Sequence, residues 1–310
     1  MKKITMRDTF WNRVYDIAKE DKNVIVVAAD MGAPALDKFR RDFTNQFINT
    51  GIAEQNAMLV STGLAMAGKK VFVYAIAPFI TMRCYEQIRI YPAGMDLPIT
   101  IVGVGAGICY EESGPTHHAV EDITILRGLP NMEIFSASDN NMTARFADLA
   151  YKSKHPNYVR LDRIVLPNIY DEKEEFTQGL GVLRALGDVN ILSTGCMINT
   201  AMEVSDSLAK EGIKVGVIDA YKIPLNQDLF VSMVNNTKTL ITLEEHSLAG
   251  GLGSHICELV MDAGLNVRVK RIGFDFSKKY SYDYGGRSVV HPLYGLDAES
   301  VKKTVKDMIE

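Results

Sequence analysis

Val24-Ile25-Val26-Val27-Ala28-Ala29 is an unbroken apolar run. A strand that is apolar at successive positions must be buried on both faces, as in a parallel sheet with helices above and below it. Similar strand-like runs recur at Val71 to Ala77, Ile99 to Val104 and Met132 to Phe135. Helical stretches separate them near Glu54 to Met66, Phe79 to Tyr91 and Asn140 to Lys152. Before the first run, Met6, Phe10, Val14 and Ile17 recur at helical spacing, with Thr5 and Asp8 placed to cap that helix. This alternation predicts an α/β domain with a parallel sheet over about residues 1–166.

The pattern stops at Pro167 to Gln178, a polar stretch containing Asp171-Glu172-Lys173-Glu174-Glu175, which reads as an interdomain linker. A second alternating unit follows over 179–310. Its strands fall at Val189 to Ser193, Val215 to Asp219, Leu240 to Leu243 and Val267 to Ile272. Its helices fall at Thr200 to Glu211, Leu225 to Val234, Leu252 to Ala263 and Asp297 to Ile309. The expectation is two parallel-sheet α/β domains.

Composition narrows the function. A net charge of −4 over 310 residues does not suit a nucleic-acid protein, which usually carries a basic balance or stripe. No run of 18 apolar residues is present to span a membrane. The start Met1-Lys2-Lys3-Ile4-Thr5-Met6-Arg7-Asp8 has no apolar segment after its basic residues, so a secretory signal is not expected. The four cysteines, Cys84, Cys109, Cys196 and Cys257, form no Cys-x-x-Cys pair and suit a reducing cytoplasm.

Four segments carry candidate chemistry. In Gly51-Ile52-Ala53-Glu54-Gln55-Asn56, Glu54 opens a helix, where a carboxylate also simply complements the helix dipole. In Glu112-Ser113-Gly114-Pro115-Thr116-His117-His118, two histidines sit on a loop after a strand, where open α/β sheets bind ligands. Histidine can move protons near neutral pH, yet a rigid turn with exposed histidines fits the residues equally. Gly103-Val104-Gly105-Ala106-Gly107 is no dinucleotide fingerprint, because the glycine spacing is wrong and no helix pattern follows. Glu244-Glu245-His246 with Gly250-Gly251-Leu252-Gly253 leads into a helix N-terminus that could bind an anion, but a tight structural β–α connection explains it better.

In this order and spacing, the segments resemble the C-terminal half of transketolase, over essentially the whole chain. The most specific elements are Gly114-Pro115-Thr116-His117 with the upstream Ile52-Ala53-Glu54-Gln55, supported by Tyr294-Gly295-Leu296-Asp297. The resemblance implies a thiamine-diphosphate pyrimidine-binding domain followed by a transketolase C-terminal domain. It implies transfer of a two-carbon ketol unit from a ketose to an aldose, with anionic sugars. Glu54 matches the glutamate that hydrogen-bonds the cofactor's aminopyrimidine ring, where a carboxyl can hold and share a proton. Phe79 and Tyr85 match aromatics that pack on that ring, a role compatible with ordinary core packing, and Met82 stands where an aromatic is common. His117 matches a histidine facing substrate oxygens. Arg7 and Arg163 match two arginines that hold a distal phosphate, for which a guanidinium fork is suited; each also reads as a surface arginine.

The departures are as informative. Ser113 replaces a common aspartate, and Gly105 and Pro34 replace a histidine and a serine of the usual phosphate pocket. Magnesium and the diphosphate are held in this family through a Gly-Asp-Gly…Asn motif, whereas this chain has only Gly187-Asp188-Val189. The expectation is therefore a catalytic subunit with no metal ligands of its own. It would need a separate N-terminal subunit carrying Gly-Asp-Gly, in an α2β2 or similar assembly. A deoxyxylulose-phosphate synthase usually has an arginine where Ala106 stands and a glutamine in place of Pro115. The β subunit of a 2-oxo-acid dehydrogenase normally lacks Gly-Pro-Thr-His. A non-catalytic module has no reason to keep both Glu54 and His117.

Overall fold

The computed structural model describes residues 4–277, 280 and 282–309; the basic pair Lys2 and Lys3 lies outside them. The first domain contains β1 (Val24–Ala28), β2 (Phe47–Asn49), β3 (Lys70–Ile76), β4 (Ile99–Val104), β5 (Glu133–Ser136) and β6 (Asn157–Leu161). Its helices are α1 (Met6–Glu20), α2 (Pro34–Asp42), α3 (Glu54–Met66), α4 (Ala77–Thr81), α5 (Tyr85–Ile88), α6 (Asp122–Arg127) and α7 (Asn140–Lys152). The second domain contains β7 (Leu180–Arg184), β8 (Val189–Ser193), β9 (Gly216–Ala220), β10 (Lys222–Ile223), β11 (Thr239–Ser247) and β12 (Arg268–Phe274). Its helices are α8 (Met197–Ala209), α9 (Gln227–Val234), α10 (Leu252–Asp262), α11 (Arg287–Tyr294) and α12 (Ala298–Ile309).

Local chemistry sets the clearest boundaries. The Thr5 hydroxyl accepts the Asp8 backbone N–H at 3.2 Å, the cap expected for α1. Every residue of β1 is buried, as its apolar run requires, and it sits inside the first sheet between β3 and β2. Strand order in that sheet is β10-β5-β6-β4-β3-β1-β2, and in the second it is β12-β11-β8-β9-β7. Pairing is parallel except at one edge of each sheet, where β10 meets β5 and β7 meets β9 antiparallel. Strand β10 follows the linker in sequence yet joins the first sheet, so the two domains are stitched together by backbone hydrogen bonds.

One helical stretch departs from the sequence reading. The single helix expected over Phe79 to Tyr91 is instead α4, α5 and a π-helical turn Arg89–Ala93. Pro92 lies inside that turn and has no N–H for a regular α-helical ladder. The polar stretch Pro167 to Gln178 is anchored to the fold. The Asp139 carboxylate accepts the backbone N–H groups of Ile169 and Tyr170 at 2.7 and 2.8 Å. Phe176 is buried against Phe146, Tyr170 and Tyr221. One aromatic in an acidic run thus gives the segment an apolar foothold.

Candidate active site at the carboxyl edge of the first sheet

In a parallel sheet, every loop that follows a strand emerges at the same edge. Glu54 follows β2, Phe79 and Arg83 follow β3, Tyr110 and His117 follow β4, and Arg163 follows β6. Helix α1 runs back to the start of β1, so Arg7 in its first turn lies at that edge too. Residues scattered between positions 7 and 163 therefore converge without any local sequence signal.

Their contacts form a row. Glu54 is 4% exposed at the first turn of α3, and Arg83 donates to its Oε2 at 2.8 Å. The Arg83 guanidinium lies 4.3 Å from the centre of the Phe79 ring. Phe79 meets the His117 ring edge-on at 5.0 Å, and Tyr110 lies tilted 5.7 Å from the same ring. Arg163 covers Tyr110 at 4.3 Å. Arg7 pairs with Asp8 at 3.3 Å, and its charge also acts on Tyr110. Glu54, Phe79, His117, Arg163 and Arg7 thus share one surface. Tyr85 opens α5 and packs against the core behind it, with no ring contact to Phe79 or His117 among the described residues. Ser113 is half-buried beside the histidine loop, Met82 is exposed, and Pro34 occupies the first turn of α2.

Arg83 and Tyr110 were not singled out by sequence. Nothing local marks Arg83, whose partner is 29 residues away. Tyr110 did leave a trace, an aromatic soon after a glycine standing where a histidine was expected. Gly105 has φ +99°, and a Cβ there would meet the Tyr110 ring at 2.1 Å. The bare backbone is what lets the ring lie down.

The loop bearing Tyr110 and His117 is firmly held. Gly107 and Ala119 exchange backbone hydrogen bonds of 3.1 and 2.8 Å, closing the loop at its base. The His117 Nδ1 lies 2.9 Å from the Thr116 hydroxyl, and burial lowers the pKa of this histidine. The second domain locks the base through Glu245. Its carboxylate takes the Ile108 N–H at 3.2 Å, the Arg287 guanidinium at 2.7 Å and His291 at 2.6 Å. Arg287 also reaches Asp162, next to Arg163, at 2.6 Å. Burial alone would push the Glu245 carboxyl up, but Arg287 and His291 outweigh it and hold the group below the ordinary carboxylate range.

The glycine turn of the fourth segment is structural. Glu244 accepts the Leu252 and Gly253 N–H groups at 2.7 and 2.8 Å, so the chain's own carboxylate fills the α10 N-terminus. Burial raises that carboxyl to about 7, against the pull of those two N–H groups.

A buried glutamate at a helix start, an aromatic–histidine face and two arginines at one sheet edge, followed by a second domain, define a two-domain α/β chain that gathers its polar and aromatic side chains at the carboxyl edge of the first sheet. Comparison with known proteins narrows this class. The family "Transketolase, pyrimidine binding domain" matches residues 2–168, and "Transketolase, C-terminal domain" matches 180–301. The chain belongs to the transketolase family and corresponds to the C-terminal subunit of a split enzyme. It is 32% identical to a subunit of the apulose-4-phosphate transketolase of Phocaeicola vulgatus, over 99% of this chain and 98% of that protein. It is 29% identical to the 6-deoxy-6-sulfo-D-fructose transketolase subunit SqwH of a Clostridium species, over 98% and 94% of the two chains. A solved split-gene transketolase, an inactive β4 tetramer, superposes with TM-score 0.86 at 31% identity, covering 98% and 97% of the two chains.

The family uses thiamine diphosphate, and the fit differs at the cofactor's two ends. The pyrimidine end is matched by the buried Glu54 carboxylate and the adjoining Phe79 face. The diphosphate end is not matched. Gly187 and Asp188 form a turn ahead of β8, with the Asp188 carboxylate on a surface lysine, Lys238, at 2.7 Å. Among the described residues, no group of three or more His, Cys, Asp or Glu is arranged to hold a metal ion. No described helix is long and apolar enough to cross a membrane.

Proposed function

We propose that this chain supplies the pyrimidine-side and substrate-side residues of a split, thiamine-diphosphate-dependent transketolase that moves a two-carbon ketol unit from a ketose to an aldose carrying a terminal anion. The unbroken row Glu54–Arg83–Phe79–His117–Tyr110–Arg163 carries the reading, because it joins a proton-holding carboxylate to an anion-binding arginine through one continuous face. When bound, thiamine diphosphate supplies the carbanion and electron sink of the transfer. Glu54 holds the proton shared with the pyrimidine ring nitrogen, and Phe79 packs beside that ring with Tyr85 supporting from the core side. His117, next to Phe79, faces the reacting oxygens and moves a proton to or from them. Arg7 and Arg163 orient the far end of the sugar.

The complementary half lies on another chain in this reading. An N-terminal subunit with Gly-Asp-Gly holds the diphosphate and magnesium in an α2β2 assembly, in the cytoplasm, where the four free cysteines stay reduced. The division of labour within this chain is a pyrimidine-binding domain over 1–166, the tether 167–178 and a C-terminal domain over 179–310. Calorimetry of the isolated chain with thiamine diphosphate and magnesium tests the split. Weak binding, well above micromolar, is expected, and micromolar binding without a partner would refute it.

Arg163→Ala in the reconstituted pair is expected to raise KM for an anionic ketose by about 10- to 100-fold with little change in kcat. A charge-assisted hydrogen bond contributes about 1.5–3 kcal/mol, and the anion is held alike in ground and transition states. A neutral ketose of equal length is expected to be nearly unaffected. Equal losses on both sugars would assign the arginine to folding instead.

A further inference from the structure

The anion end of this surface is not a pair of arginines alone. Tyr110 lies against Gly105 where no side chain intervenes, beneath Arg163 and beside His117. Arg163, Cys109 and Arg7 act on its phenol, and His117 is the titratable ring beside it, held below its ordinary value by burial. Close by, the Tyr74 hydroxyl is fully buried and faces Arg7, which also acts on Tyr110. Arg7 is half-buried, with its fork turned to Asp8 at 3.3 Å, where a ligand anion could compete for it.

We propose that Tyr110 is a specificity-determining residue, whose phenol donates a hydrogen bond to a terminal tetrahedral oxyanion of the sugar between Arg163 and Arg7. The inference rests on the transketolase reading above and deepens it. Gly105 and Tyr110 act as a unit, the glycine vacating the space and the ring filling it from five positions downstream. A phenol differs from a histidine in one testable respect. Burial pushes Tyr110 up to about 12, so it remains a donor wherever a histidine would lose its charge.

The test uses the chain assembled with its partner subunit, and three ketoses of equal length ending in a phosphate ester, a sulfonate or a neutral hydroxymethyl group. Wild type and Tyr110→Phe are compared by calorimetric binding and by steady-state kinetics. Tyr110→Phe keeps the ring and its packing, and is expected to weaken binding of both anionic sugars roughly tenfold. Its effect on the neutral sugar and on kcat should stay within about twofold. In wild type, preference for the sulfonate over the neutral sugar should be flat from about pH 6.5 to 9, since neither the sulfonate nor any proposed donor titrates there. Loss of a single anionic arm would assign the pocket to that anion and keep Tyr110 as its donor. Equal losses on charged and neutral sugars, no loss on any, or a sulfonate preference that falls away above pH 7 would each overturn the proposal. Calorimetry reads the pocket without turnover. A wild-type pair that binds anionic sugars selectively but turns none over would refute the transketolase reading and leave Tyr110 standing.

Discussion

Glu54→Gln is expected to abolish nearly all turnover of the assembled enzyme, by about 10³-fold or more, while the subunit folds and assembles normally. Glutamine matches the volume of glutamate at a position that is 4% exposed, so packing at the start of α3 survives. What disappears is the ability to take up and return a proton. The amide also gives up the 2.8 Å ion pair from Arg83. That loss is tolerable because the Arg83 side chain is 46% exposed and stays solvated. Single-turnover kinetics on the reconstituted pair, with a thermal melt of the variant alongside, separates the two effects. Activity within tenfold of wild type would reduce Glu54 to a residue that complements a helix dipole.

The second large effect is on stability. Arg287→Ala is expected to cost about 3–5 kcal/mol, because it leaves two buried carboxylates without their shared cation. Glu245 and Asp162 are 2% and 3% exposed, and Arg287 bridges them at 2.7 and 2.6 Å. Arg184 makes an equally short bidentate pair with Asp206, at 2.7 and 2.8 Å, but on the surface. Arg184→Ala is expected to cost under about 1 kcal/mol, since water solvates what remains. Urea titrations of the two variants compare the same chemistry at two burials, and equal shifts would refute the argument.

The sign of the pH dependence follows. The Glu245 carboxyl is held below its ordinary 4.5, so its contribution is complete above that value and is lost as pH falls through the folded-state value. In Arg287→Ala the deficit should shrink as the medium is acidified through about pH 4.5, because protonation removes the stranded charge. The same substitution should impair catalysis indirectly. Arg287 holds Asp162, the neighbour of Arg163, and Glu245 holds the Ile108 N–H at the base of the histidine loop.

Much of the scaffold was legible because it is locally encoded. A side-chain period fixes which face of an element is buried, and a cap or a break fixes where the element ends. On those grounds β1, β4, α3 and α7 fall where the periodicity places them, and Thr5 caps α1. The family resemblance then pointed to Glu54, Phe79, His117, Arg7 and Arg163, and the sheet gathers these at one edge. Tertiary structure alone decided what each of them faces. Arg83 found Glu54, Tyr110 settled on Gly105, and β10 left its own domain for the first sheet. Glu244 filled a helix end that, read as sequence, was open to an anion. Periodicity specifies a buried face but not the neighbour opposite it. That choice is made by packing and charge pairing between segments far apart in the chain.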